Sequence, residues 1–191
     1  MSPATFERGS TATNDWNVII TLAEQTLREA RRALARWGRL KPTAYYNVFT
    51  MTVGAPDRFL AEFAAAVAEL PGLLNFISHA VPAQMTFDFL SAEEFEVRAR
   101  DIALNWVTRL GSARFHVRLH RRGFKGTLST PREERFLDDV LLAALQAAGT
   151  PGRISFDDPD FVIQIETIGT RAGMSCWSRE DLRRFRFLGA A

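Results

Sequence analysis

The sequence predicts an α/β (α+β) protein built from two small domains. Its 191 residues suffice for one large domain or two small ones, and 47% of them are apolar, which is enough to form a core. Segments in which apolar residues alternate every second position are interspersed with segments in which they recur every three to four positions, as in strands and helices. A helix-capping signal at Ser91 begins a second unit near the middle of the chain.

The first domain is predicted to span residues 15–90, after a disordered tail at residues 1–14. Gly38 ends the first predicted helix, and the pair Pro71-Gly72 ends the second. The order β-α-β-α-β-β indicates a sheet with both helices on one face, so we expect a ferredoxin-like unit. The strands are predicted at Trp16–Leu22, Tyr45–Val53, Phe76–Val81 and Gln84–Phe89, and the helices at 27–37 and 56–70.

The second domain is predicted to span residues 91–188. Ser91 and Glu94 form a capping box at the start of one helix, and Thr130 and Glu133 form another at the start of a second helix. A turn beginning at Gly169 joins the last two strands into a hairpin. The remaining elements are strands at Arg114–His120, Phe161–Ile168 and Ala172–Trp177, and a short charged helix from Ser178 to about Arg186.

The clearest functional signal is a basic strand and loop at residues 114–125. The window holds five fixed positive charges, two histidines and no acid. Period-two geometry places Arg114, His116, Arg118 and His120 on one face of the strand. The loop adds Arg121, Arg122 and Lys125, with Gly123 and Gly126 beside Phe124.

This pattern suits a phosphate backbone. Arginine forks match phosphate oxygens, and glycines allow the main chain to approach closely. The helix start at Thr130 brings a positive dipole end near the loop, and Phe124 is a candidate for stacking on an unpaired base. A solvated basic face that pairs with acids elsewhere is the alternative interpretation.

Several classes of function receive no support from the sequence. The net charge of +2 does not make the whole chain polybasic, and the single Cys176 fits a buried structural role better than that of a nucleophile. The acids around Pro159 are typical of a turn, and His116 and His120 would lie about 13 Å apart on a strand, too far to share a metal. No phosphate-binding loop, nucleophile elbow or dinucleotide fingerprint is present. We therefore expect no enzymatic activity, no cofactor and no metal.

The sequence also indicates a cytoplasmic protein. Residues 1–14 are polar and lack the apolar core of a secretory signal. The longest uncharged run, Leu70–Phe87, is interrupted by prolines and polar residues, which argues against a membrane span.

Three segments, at residues 115–123, 158–169 and 171–175, together with the helix from Pro131, resemble a THUMP domain. The resemblance covers about residues 91–188 and is closest to the small THUMP proteins related to the adaptor that assists tRNA cytidine acetylation. The preceding segment looks like the ferredoxin-like domain that usually precedes THUMP. The resemblance implies that the chain binds tRNA and measures from the 3′ CCA end, while a separate domain performs the modification.

Carried over by position, the resemblance implies two groups of RNA contacts. The main group is Arg118, His120, Arg121, Arg122, Gly123, Lys125, Gly126 and Arg132. The second candidate is the turn at residues 169–173 with Arg171. Reversing the charges of Arg121 and Arg122 is predicted to weaken RNA binding without unfolding the protein.

These inferences predict a tRNA-binding protein or adaptor that recognises the acceptor stem and the 3′ CCA end. It would present tRNA to a separate, trans-acting modification enzyme, with a groove between the basic strand-loop and the first domain. The alternative is a protein-interaction or small-ligand-sensing module that does not bind RNA. The sequence leaves open whether the arginines at 183, 184 and 186 contact RNA, and it does not define the oligomeric state.

Overall fold

The computed structural model describes residues 15–189, and its first sheet has four antiparallel strands. The predicted tail lies outside the described residues. The element order β-α-β-β-α-β is that of a ferredoxin-like unit. The strands are β1 (Val18–Leu22), β2 (Lys41–Pro42), β3 (Val48–Met51) and β4 (Ile77–Pro82), arranged as β2-β3-β1-β4, and the helices are α1 (Leu27–Leu34) and α2 (Pro56–Glu69), followed by a 3₁₀ turn (Pro71–Asn75).

The two helices cover one face of this sheet. Because side chains alternate along a strand, Val18, Ile20 and Leu22 of β1 all point to that face. They are buried there in one cluster with Ala30 and Leu34, the inward side chains of α1. The intervening side chains of β1 therefore point to the opposite face, which α1 and α2 leave uncovered.

The second sheet has five strands in the order β5-β9-β8-β6-β7. Strand β6 is parallel to β7 and β8, and the other pairs are antiparallel. The strands are β5 (Met85–Asp88), β6 (Arg114–His120), β7 (Arg153–Ile154), β8 (Phe161–Ile168) and β9 (Arg171–Ser178), and the helices are α3 (Ala92–Leu104), α4 (Val107–Leu110), α5 (Thr130–Ala147) and α6 (Arg179–Arg184), with a final 3₁₀ turn (Arg186–Leu188). Two sheets with their helices confirm the predicted α+β fold class. None of the helices within residues 15–189 combines the length and apolar character that a bilayer crossing requires.

Strand pairing corrects the predicted division at residues 90 and 91. Strand β5 was assigned to the first domain, but it pairs along its whole length with β9 of the second sheet. The second part of the chain also contributes to the core of the first sheet, because Phe187, Leu188, Val162 and Trp177 are buried there. The two units therefore pack against each other. The predicted order β-α-β-α-β-β was wrong in two respects, because it lacked β2 and because its last strand, β5, belongs to the second sheet.

Helix α5 protects the open edge of β6. Strand β7 pairs with only the first two residues of β6, which leaves the N–H groups of Val117 and Leu119 without a strand partner on that side. The Asp138 carboxylate accepts the Val117 N–H at 3.0 Å, and the Glu134 carboxylate accepts the Leu119 N–H at 2.8 Å. Two side chains of α5 thus accept hydrogen bonds from backbone N–H groups that could otherwise pair with a strand of another molecule.

Neither of the two predicted capping boxes forms completely. At α3 the Ser91 hydroxyl accepts the Glu94 N–H at 3.1 Å, although the Glu94 side chain bonds to the Leu90 N–H instead of Ser91. At α5 the N-cap is Ser129, which makes no side-chain cap. Glu133 is instead fully buried, and neither of its carboxylate oxygens has a hydrogen-bond partner within the described chain.

Candidate nucleic-acid interface

A cleft of about 380 Å³ opens between the two sheets, where the end of β6 meets the uncovered face of the first sheet. We call it the junction cleft, and it lies where the sequence predicted a groove. One wall comes from β1 and β4, and the other from the end of β6 and from β8. The lining residues are Ile19, Thr21, His79, Val81, His120, Arg121, Arg122, Glu166, Leu188 and Gly189.

A buried carboxylate organises the basic wall of the junction cleft. Glu166 is 4% exposed and accepts hydrogen bonds from His120 Nδ1 at 2.7 Å, from Gln164 Nε2 at 3.0 Å and from the Arg122 guanidinium. Burial alone would raise the pKa of Glu166, but the bonds from His120 and Arg122 outweigh it and lower this pKa. Two of the predicted phosphate contacts, His120 and Arg122, are therefore already bound to an internal acid.

Arg121 lies at the mouth of the junction cleft, and the loop holds it there. Its guanidinium donates to the Gly123 carbonyl, while its Nε is buried without a partner in the described part of the chain. The loop is fixed to β8 and β9, because Arg122 N–H bonds to Thr167 Oγ1 at 2.9 Å and Gly169 N–H bonds to the Arg122 carbonyl at 2.8 Å. Arg121 forms no ion pair within residues 15–189, so no internal acid neutralises its charge.

Glycine is required at position 123 for two reasons. Its φ of +106° lies in a region that L side chains rarely adopt, and a Cβ there would stand 2.9 Å from the Gly169 Cα. At Gly126 φ is +86° but the surrounding space is open. Lys125, between them, is exposed, so Lys125 and Gly126 present a cation and an unobstructed backbone to solvent.

Phe124 does not serve the stacking role proposed from the sequence. Its ring packs against Phe89 at a centroid distance of 5.0 Å and joins the core cluster beneath the second sheet. The Phe124 side chain therefore points toward the core. The sequence pattern alone could not distinguish this direction from one toward solvent.

A second cleft, of about 610 Å³, lies farther along the same face of β6. We call it the aromatic cleft, because Phe156 is 66% exposed there and its ring lies 5.2 Å from that of His116. Burial lowers the pKa of His116, whose Nδ1 contacts the Ser155 carbonyl. The exposed Arg118 also lines this cleft, together with Arg179 and Arg183.

Arg171 and Arg132 differ from their predicted roles. Arg171 has only 15% of its side chain exposed and donates to the Trp16 carbonyl, to Thr86 Oγ1 and to both oxygens of Asp88. It ties β9 to β5 and to the start of β1, so we correct its assignment from RNA contact to structural clamp. Arg132 pairs with Glu96 at 2.9 Å and joins α5 to α3 on the helix-covered side of the second sheet, away from both clefts.

Two of the three acids that follow Phe156 pair with arginines. Asp160 accepts hydrogen bonds from Arg114 and Arg179, and the bonds from Arg114 are the main reason that its pKa falls to about 2. Asp158 forms ion pairs with the same two arginines. Among residues 15–189 no group of three or more potential metal-ligating side chains occurs. Cys176 is buried, and burial raises its pKa to about 12.

Two contributors to the clefts had no signal in the sequence. His79 reaches the junction cleft from β4, which strand pairing brings beside β1. Phe156 stands alone among polar residues, without the periodicity that marks a strand or a helix. Neither residue lies in the basic window, so only the tertiary structure could associate them with it.

No protein-family model matches the sequence, and no curated protein matches it. Solved structures do share the fold. PH1313 from Pyrococcus horikoshii matches 86% of this chain over 55% of its own length, with a TM-score of 0.56 and 14% identity. TrmN from Thermus thermophilus matches 84% of the chain over 44% of its own length, with a TM-score of 0.55 and 19% identity.

A 4-thiouridine synthetase, solved as a complex with RNA and ATP, matches 85% of the chain over 41% of its own length, with a TM-score of 0.56 and 16% identity. The chain thus spans about half the length of the proteins that it matches. Its α+β fold with two sheets corresponds to the N-terminal ferredoxin-like and THUMP region of the 4-thiouridine synthetase.

Proposed function

We propose that this chain binds RNA and that its target is the acceptor stem and 3′ CCA end of tRNA. The observation that carries the proposal is the pair of arginine-lined clefts on one face of β6. Arg118 and His120 are two residues apart on that face, which separates them by about 6.6 Å along the strand. Arg118 faces the aromatic cleft, and His120 faces the junction cleft. A few consecutive nucleotides can span this distance.

The chemistry of the two clefts differs in a way that suits a single-stranded RNA end. At the junction cleft, Arg121 offers charge to phosphates, and Lys125, four residues further along the loop, is an exposed cation. At the aromatic cleft, the exposed Phe156 ring offers a surface on which an unpaired base can stack, with Arg118 beside it. The 4-thiouridine synthetase that shares this fold was solved with RNA, which supports the same class of ligand here.

We further propose that the chain is an adaptor that presents tRNA to a separate modification enzyme and performs no chemistry itself. Its single thiol is buried and has a raised pKa, so it is a poor nucleophile. Of the two acids that line the aromatic cleft, Asp158 is engaged by arginines, whereas Asp157 forms no ion pair within residues 15–189. TrmN and the 4-thiouridine synthetase are longer proteins that contain this fold as a part, so a catalytic module can act next to it.

The first experiment tests RNA binding with charge reversals that spare the internal network. Arg118→Glu with Lys125→Glu changes two exposed side chains that form no ion pair within residues 15–189. Titration with tRNA at about 100 mM salt is expected to show at least a tenfold loss of affinity. The control, Arg135→Glu with Arg153→Glu, changes the net charge equally at two exposed cations that line neither cleft and form no ion pair within residues 15–189, and it should lose less than threefold. Equal losses in both variants would contradict a specific site.

The second experiment tests recognition of the end. Wild-type protein is titrated with intact tRNA and with tRNA lacking CCA, and equal affinity for both would refute end recognition. Phe156→Ala is expected to weaken binding of intact tRNA by about 5- to 100-fold, which corresponds to the loss of one stacked base, and to leave the truncated tRNA unaffected. Val97→Ala, which removes another exposed apolar side chain, is the control.

A further inference from the structure

The segment that contains α1 has a concentration of positive charge that the basic window does not include. Residues 28–41 carry six cations and one acid, whereas the whole chain has a net charge of only +2. All six cations are exposed, and they are Arg28, Arg31, Arg32, Arg36, Arg39 and Lys41. This segment is therefore strongly positive, whereas the protein as a whole is nearly neutral.

Three of these cations form one surface. Arg28 and Arg31 occupy exposed positions three residues apart on α1, so their side chains are neighbours on the helix surface. Arg31 and Arg39 line one recess of about 470 Å³, together with Ala35, Gly38 and Leu40, and no acidic side chain lines it. We call Arg28, Arg31 and Arg39 the α1 basic surface.

Two of the other three cations of the segment have local partners, and the third, Arg32, lines a different recess together with Glu29 and Glu69. Lys41 pairs with Asp15 at 3.3 Å, and the Arg36 guanidinium lies 3.9 Å from the centroid of the Trp37 ring. Arg36 also helps to lower the pKa of Glu62, although the hydrogen bonds of Glu62 to Arg58 and Trp37 contribute more. Within residues 15–189, by contrast, none of Arg28, Arg31 and Arg39 forms an ion pair. Their charge is uncompensated and available to an anionic partner.

The α1 basic surface is separate from the junction cleft. Helix α1 packs on the face of the first sheet to which Val18 and Ile20 point, whereas Ile19 and Thr21 point to the junction cleft on the other face. A sheet and a helix layer therefore lie between the two sites, and a short oligonucleotide cannot occupy both.

We propose that the α1 basic surface is a second RNA-binding surface, which contacts the phosphates of a double-stranded region while the single-stranded end occupies the clefts. This inference rests on the proposed function. Its three members are all arginines, whose forks match phosphate oxygens better than lysine does. No residue between 28 and 41 is a large exposed hydrophobic side chain of the kind that a protein partner would bury. Charge complementarity therefore favours RNA over a protein as the occupant.

The test is a salt-dependent titration of tRNA with the variant Arg28→Gln, Arg31→Gln, Arg39→Gln. Each lost phosphate contact lowers the slope of log affinity against log salt by about 0.7 to 0.9, so the slope should fall by about 2 to 3. Affinity at about 100 mM salt should fall at least tenfold. The affinity ratio of intact tRNA to tRNA lacking CCA reports on the clefts and should stay unchanged.

A matched control removes three cations elsewhere. The variant Arg98→Gln, Arg135→Gln, Arg153→Gln has the same net charge, its three cations are exposed and line neither cleft, and only Arg98 forms an ion pair within residues 15–189. A similar loss in both variants would overturn the proposal, because the effect would then come from net charge alone. An unchanged slope in the α1 variant, with wild type still binding tRNA, would also overturn it while leaving the proposed function intact. No binding of tRNA by the wild type would overturn both.

Discussion

Replacing Asp138 with asparagine is expected to stabilise the protein at neutral pH and to leave its stability unchanged in acid. Burial raises the pKa of Asp138 to about 7, and the neighbouring charges of Glu134 and Asp139 add to this effect, while the bond from the Val117 N–H opposes it. The folded state therefore holds the proton more tightly than the unfolded state does. The wild-type free energy of unfolding should fall as the pH rises from about 4 to about 7.

The size of the effect follows from the difference between the two pKa values. The pKa rises from 3.8 to about 7, and each pKa unit corresponds to about 1.36 kcal/mol, so ionisation of Asp138 costs at most roughly 4 kcal/mol. Asp138 is 7% exposed, so water can partly hydrate its ionised carboxylate. We therefore expect ionisation to cost half of the upper limit or less, about 1–2 kcal/mol. Asparagine keeps an oxygen that can accept the Val117 N–H and has no charge to bury.

The assay is urea unfolding at a series of pH values from 4 to 8.5, with tryptophan fluorescence as the signal. Glu133, whose pKa burial also raises, is present in both proteins, so the difference between variant and wild type isolates Asp138. Asp139→Asn removes the same charge from an exposed neighbour and should change stability by less than about 0.5 kcal/mol. A variant that is less stable than wild type at pH 8, or that keeps the wild-type slope, would refute the argument.

Three further outcomes follow from the loop and the core. Arg122→Ala leaves the carboxylate of Glu166 buried with one cationic partner fewer and should destabilise the fold by about 3–5 kcal/mol in urea unfolding; a loss below about 1 kcal/mol would contradict the ion pair. Gly123→Ala meets both an unfavourable φ and backbone atoms, so its melting temperature should fall further than that of Gly126→Ala, which meets only the unfavourable φ; equal losses would contradict the close approach. Cys176 should resist a thiol reagent at pH 8 in the folded protein and react once urea unfolds it, and rapid labelling of folded protein would show that it is accessible.

The strands and helices with a strong periodic pattern could be predicted from the sequence, but the strands with which they pair could not. The β1 pattern of alternating apolar residues and the apolar run at 161–168 both gave strands close to those observed. Strand β5 was also recognised, but its register with β9 depends on residues more than 80 positions away. The capping signal at Thr130 failed because Glu133, which has the residue type of a capping acid, lies on the buried side of α5.

The residues of the basic window were identified from the sequence, but their availability to a ligand was not. Arg118 and Arg122 look alike in the sequence, yet Arg118 is exposed and Arg122 is bonded to Glu166 across the sheet. The predicted charge reversal of Arg121 with Arg122 is therefore an unsuitable test, because it would place a second acid beside Glu166 and destabilise the fold. Arg171 was misassigned for the same reason, since Asp88 comes from a strand that the sequence placed in the other domain.

In the proposed function, the distribution of acid partners determines which of the arginines are available to RNA. A guanidinium that already shares a carboxylate gains little from a phosphate, because it must first give up its own bond and leave that acid unpaired. Arg114, Arg122 and Arg171 meet this condition and hold strands together. Arg118 on β6 and Arg31 on α1 are exposed and form no ion pair within residues 15–189, so their charge is free to replace the counterions of RNA. Salt should therefore weaken RNA binding steeply while leaving the arginine-based strand connections, and with them the fold, largely intact.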